Sequence, residues 1–157
     1  MIGNILKVIA ALIIGYLVGL LLGGMLGILI GLIPSLFIYE IVDANQSTVM
    51  SILLSAVLGG LLGYLEVRIF NRMFDANNKP LVGSLIGIPF GLIFGIFNYF
   101  VLDVSSSDTL SPGLNMVAMI YSGAVGSRIG STIFSVFGAL QTLREIVQFH
   151  KGAIKLN

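Results

Sequence analysis

Arg128 is the one basic residue set deep in an apolar stretch of this chain, and Glu66 is the one acid that could lie at a similar depth. A charge in hydrocarbon is expensive unless it is paired or turned toward the headgroups, so the two residues are expected to form an intramembrane charge pair. Three roles stay open for such a pair: a tie between two helices or to headgroups, a site for an ion or substrate, or a contact with another subunit. Toward the other face, Tyr39, Glu40, Asn98, Tyr99 and Tyr121 fall at comparable depth, with Asp43 and Asp103 just beyond. An acidic rim of this kind raises the local cation concentration at an entrance. Tyrosines at headgroup level and aspartates that end helices give the plainer account of the same residues.

Enzyme chemistry finds little material, and no catalytic residue is assigned. The single histidine, His150, sits beside Lys151 in a basic tail, and the serines have no His or Lys base at their own depth, as nucleophilic catalysis requires. Glu40 and Glu66 belong near opposite faces and cannot act as a carboxylate pair. The chain has no cysteine, which removes disulfides, thiolate metal sites and thiol catalysis, and no metal or cofactor is expected. A net charge of +1 gives no electrostatic footprint for nucleic acid, so none is expected as a partner.

These residues must be positioned by membrane helices. With 57% hydrophobic and 10% charged residues over 157 positions, the composition belongs to the membrane class. Four apolar segments, 8–42, 49–70, 81–102 and 114–139, each reach the ~20 residues that a spanning helix needs. The predicted fold is an all-α integral membrane protein of four transmembrane helices. Lys7, Arg68, Arg72, Lys79, Arg144, Lys151 and Lys155 lie at the termini or between the second and third segments, while the other two loops carry only acids. The positive-inside rule then puts both termini and the middle loop in the cytoplasm, with the chain multi-pass in a cell membrane. Pro80 and Pro112 suit the first turn of the helices they open.

The strongest pattern is small residues every fourth position. Gly15, Gly19, Gly23, Gly27 and Gly31 stripe the first helix; Gly59 and Gly63 the second; Gly83, Gly87, Gly91 and Gly95 the third; Gly126 and Gly130 the fourth, where Gly123, Ser127, Ser131 and Ser135 add a further stripe. Lipid is as apolar as leucine, so membrane helices associate by close backbone approach, and these glycines are the expected packing surfaces. More small-residue faces exist than four helices need among themselves. Either all of them pack within the chain, or the surplus points to partners: the bilayer, further copies of the chain, or other membrane subunits.

Residues 21–43 repeat as 81–103 at an offset of 60, with Leu21, Gly23, Gly27, Ile28, Gly31, Leu32, Ile33, Phe37, Tyr39 and Asp43 all recurring. The expected organisation is a single membrane domain over 1–157, divided as an appended apolar extension (1–20), hairpin repeat 1 (21–72), hairpin repeat 2 (80–139) and a cytoplasmic amphipathic tail (140–157). The two glycine-rich hairpins form a parallel internal repeat, related by an axis along the membrane normal. The long first helix must tilt, break near Gly23 and Gly24, or lie against a partner.

Tandem glycine-rich hairpins broadly resemble the four-helix proteolipids of rotary ATPases, and the small-residue spacing is similar to that of the glycine-repeat subunits of the mitochondrial inner-membrane translocase. A proteolipid carries a mid-membrane carboxylate on the helix that follows its glycine helix. Here the second helix has no acid before Glu66 and the fourth none before Glu145. No functional residue is carried over from either resemblance. The pattern leads to a small membrane subunit that acts by helix packing and assembly, as a homo-oligomer or as an accessory subunit of a larger complex. The alternative is a small oligomeric channel or transporter for an ion or small solute.

Overall fold

A computed structural model describes residues 2–37, 47–102 and 112–155, and all of its elements are helices. These are α1 (Ile2–Phe37), α2 (Ser47–Phe74), α3 (Pro80–Leu102) and α4 (Pro112–Lys155). Both helix-opening prolines stand at the first helical position, where their missing N–H is no loss. Among the described residues, three stretches are long and apolar enough to cross a membrane: Gly3–Gly31, Ile52–Phe74 and Pro80–Phe97.

Glycine costs about 1 kcal/mol relative to alanine in a helix interior in water. α1 nevertheless runs unbroken through Gly23 and Gly24, and none of the described glycines has a positive φ. In lipid, each backbone group must find its partner within the segment, so continuing the helix costs less than breaking it. The same reasoning covers Pro89, which lies inside α3 without ending it. The 36 residues of α1 correspond to a rod of about 54 Å. The tail expected from residue 140 is not a separate element: α4 continues through it to Lys155 as one 44-residue helix.

The glycine stripes decide the packing. On α1 the buried positions are Gly15, Gly19, Gly23, Gly27 and Gly31, while Ile13, Ile14, Leu17, Leu21, Met25 and Leu29 face outward. Small residues are inside and large ones outside, the reverse of a water-soluble helix. α1 pairs antiparallel with α4. A methyl group on Gly19 would collide with the carbonyl of Gly130, one on Gly23 with that of Gly126, and one on Gly27 with that of Ser122. α2 pairs antiparallel with α3 in the same way, Gly63 against Gly83, Gly59 against Gly87, and Ser55 against Gly91. Ser135 Oγ donates a 3.2 Å hydrogen bond to the Leu12 carbonyl across the first seam.

This pairing differs from two side-by-side hairpin units. α1 meets α2 only sparsely, and the extensive contacts run from α1 to α4 and from α2 to α3. Consecutive helices 1 and 2 share the right spacing, but so do 1 and 4, and period-four glycine is indifferent to which partner it meets. Large side chains break the tie. Leu62, Val67 and Phe70 of α2 and Ile129, Ile133 and Phe134 of α4 form the buried core between the pairs. The Phe70 and Phe134 rings meet edge to face at 5.3 Å between centroids. α2 and α4 are therefore central, with α1 and α3 flanking them.

The α2–α3 turn is built by two asparagines. Asp75 adopts a left-handed conformation (φ 46°), and the Ala76 N–H returns to the Asn71 carbonyl at 3.1 Å, the six-to-one bond of a Schellman cap. Asn71 also donates to the Asn78 carbonyl (2.8 Å), while its Oδ1 accepts from the Asn78 backbone N–H (3.0 Å) and side-chain amide (3.1 Å). Replacing Asn71 with alanine removes all three side-chain bonds at once and is expected to destabilise the α2–α3 pair by about 1–3 kcal/mol. Chemical denaturation of the detergent-solubilised protein, followed by circular dichroism, measures that loss.

Candidate functional site

Glu66 is fully buried, and neither of its carboxyl oxygens has a hydrogen-bond partner. It sits one turn before Phe70 on the face of α2 that meets the core, because residues 59, 62, 63, 66, 67 and 70 share that face. A methyl group on Gly23 would stand 2.8 Å from Glu66 Oε1, so the carboxyl occupies room that exists only because this α1 position is glycine. Gly23 in turn lies against the Gly126 carbonyl. The candidate site is thus a point where one carboxyl from α2 reaches the α1–α4 glycine seam.

Arg128 does not complete it. It is exposed on α4, on the side away from the buried Gly126, Ile129, Gly130 and Ile133, and the expected Glu66–Arg128 pair is not formed. The physical reason is rotational: within one turn of it the residues that α4 buries sit at 125, 126, 129, 130 and 131, and position 128 falls in the gap that this arc leaves. Arg128 contributes its backbone carbonyl to its own helix instead, accepting from Ser131 Oγ at 3.0 Å and Thr132 Oγ1 at 2.8 Å.

The expected outer rim is not described in the same detail. Tyr39, Glu40, Asp43 and Asp103 lie outside the described residues, as do the side chains of Asn98, Tyr99 and Tyr121, although α3 and α4 run through those three positions. Of the packing glycines, Gly15, Gly19, Gly23 and Gly27 meet α4, Gly126 and Gly130 meet α1, and Gly59, Gly63, Gly83, Gly87, Gly91 and Gly95 close the α2–α3 seam. Gly31 is buried as well.

At the level of the α2–α3 turn, an open cleft of about 250 Å³ lies between Asp75, Asn77 and Asn78 on one side and Gln141, Arg144 and Gln148 of α4 on the other. Gln141 Nε2 donates to the Phe74 carbonyl at 3.2 Å and so ties α4 to the end of α2. The sequence offered a signal for this tie only in the density of amides around the turn. Among the described residues, no cluster of three or more His, Cys, Asp or Glu side chains could hold a metal ion.

Compared with known proteins, the chain matches no family model, no curated protein and no solved structure.

Proposed function

We propose that this chain is a small multi-pass membrane subunit whose work is assembly, with α4 as a fourth span and with both termini and the α2–α3 turn in the cytoplasm. The supporting observation is an axial offset between the two helix pairs. The Glu66 carboxyl reaches Gly23, and a long helical side chain leans toward its helix N-terminus, so the Glu66 backbone is level with the Gly19–Gly23 turn, and Arg72, six residues further along α2, with residues 13–17, inside the apolar stretch Gly3–Gly31. A hydrocarbon core is ~30 Å thick. Centring α1 in it draws Arg72 to within about one turn of the midplane, whereas placing Arg72 at the headgroups leaves the apolar first half of α1 outside.

Tilting the bundle does not remove the conflict. Even at 40°, near the limit for membrane helices, a rod of about 54 Å still rises ~41 Å. Ile5, Leu6, Ile9, Ile13 and Ile14 are exposed along this part of α1, and α4 covers only one side of it. Apolar surface of this extent, carried beyond the slab that the α2–α3 pair fits, calls for protein cover. The cover is either further copies of the chain or a larger membrane complex.

The test is the mass and composition of the full-length protein extracted from its own membrane in mild detergent. A complex larger than one chain is expected, and substituting serine for both Ile9 and Ile13 is expected to shrink it. A lone 16.7 kDa chain in detergent, unaltered by those changes, overturns the proposal. A second reading, a channel or transporter, draws on Glu66. An unpartnered buried carboxyl is costly to keep, and inside a membrane such groups mark ion and proton paths. On that reading, replacing Glu66 with glutamine abolishes flux in proteoliposomes while the assembly remains intact.

A further inference from the structure

Four cations that are scattered in sequence stand within about two helical turns of one another in height. The Glu66 carboxyl reaches the level of Gly23 and Gly126, the Phe70 ring meets Phe134, and α2 and α4 descend in the same direction. Phe70 opposite Phe134 makes Arg128 level with about Tyr64, roughly one turn above Arg68. The antiparallel seam that sets Gly63 against Gly83 brings Pro80 opposite Glu66, which puts Lys79 within the same turn. Arg72 follows one turn lower. All four are exposed, and they come from α2, the α2–α3 turn and α4. Among the described residues, the single acid at this height, Glu66, is buried, and Asp75 is the next exposed one, beyond Arg72. The guanidinium of Arg68 lies 6.0 Å from the Tyr64 ring centroid, which sets it beside an aromatic of the kind found at headgroup depth.

We infer that Arg68, Lys79 and Arg128, with Arg72 beneath them, form a belt that binds the headgroups of anionic phospholipids and fixes where the bilayer ends on this protein. The inference rests on the membrane-spanning reading and on the proposed assembly, which covers the part of α1 that the belt leaves outside the bilayer. It gives Arg128 a role that an ion pair with Glu66 does not: the side chain is an anchor at the boundary. It also assigns the first half of α1 and the part of α4 that follows the belt, more than half of that helix, to the region at and beyond the headgroups, where a partner would cover them. A basic belt at the membrane edge attracts phosphate-bearing lipid through charge and hydrogen bonding, and that attraction weakens with salt.

Native mass spectrometry of the full-length protein with added phosphatidylglycerol or phosphatidylcholine tests the belt. Phosphatidylglycerol is expected to be retained preferentially, with the preference falling about fivefold for each charge removed in Arg68→Gln, Lys79→Gln and Arg128→Gln. Arg128→Lys, which keeps the charge, is expected to retain most of the preference. Circular dichroism establishes that each variant is folded. Should a variant fail to fold, the wild-type comparison of the two lipids remains decisive. Equal retention of both lipids by the wild type, or an undiminished preference in the folded glutamine variants, overturns the belt. Full displacement by millimolar glycerol phosphate overturns the lipid assignment in favour of a free-anion site. The two failures are distinguishable: loss of assembly is read from the mass of the extracted protein, and loss of the belt from the lipid preference of a protein that still assembles.

Discussion

Gly23→Leu and Gly126→Leu are each expected to prevent recovery of the folded chain, with a loss of at least about 3 kcal/mol, while Gly3→Leu leaves it unchanged. A methyl group on Gly23 meets the Gly126 carbonyl, and one on Gly126 meets the Gly23 carbonyl, whereas one on Gly3 meets nothing within 4 Å. Overpacking is tolerated where a neighbouring side chain can turn aside, but here the obstacle on both sides is helix backbone. The helices must separate, and separation of α1 from α4 forfeits every close contact along that seam. Size-exclusion behaviour and thermal unfolding in detergent read the effect. Wild-type stability in both seam variants would rule out the α1–α4 register. Gly63→Leu makes the matching test of the α2–α3 seam, where the Gly83 carbonyl stands in the way.

The second large effect runs in the opposite direction. Replacing Glu66 with leucine is expected to stabilise the protein by about 1–3 kcal/mol, because the carboxyl is fully buried with neither oxygen hydrogen-bonded, and leucine exchanges an uncompensated polar group for an apolar one. Leucine branches at Cγ, one carbon before the carboxyl carbon of glutamate, so it is one bond shorter and fits within the room that Gly23 leaves. A residue that weakens the fold is one the protein keeps for another purpose, so a gain in stability with a loss of ion flux would favour transport. A gain in stability with flux or assembly unaffected would leave Glu66 without a role in either. Marked destabilisation on Glu66→Leu would mean that the carboxyl has a partner in the membrane, and the description of an orphaned group would fall.

The offset between the helix pairs links these outcomes to assembly. The same contacts that seat the Glu66 carboxyl against Gly23 set Arg72 beside the apolar stretch of α1, within about one turn of its centre. Changing the seam register by one turn would move every cation of α2 by about 5.4 Å relative to α1. The glycine seams thus hold two helices together and also determine which apolar surface projects past the α2–α3 pair.

The sequence by itself determined the helical class, the presence of helices long and apolar enough to cross a membrane, and the starts of α3 and α4 at Pro80 and Pro112. Each follows from a local property: apolar run length and a fixed proline φ. The tertiary structure alone decided which face meets which. A stripe such as Gly15 to Gly31 fits any other stripe of equal spacing, so neighbours in sequence were expected to pair, and α1 instead meets α4. The choice depends on large side chains brought together from distant positions, such as Phe70 with Phe134. The Glu66–Arg128 expectation failed for a related reason: similar depth can be read along a chain, but the rotation of α4 that turns Arg128 outward is set by the glycines and phenylalanines it buries. Depth is a one-dimensional property, and contact between two side chains needs the other two dimensions as well.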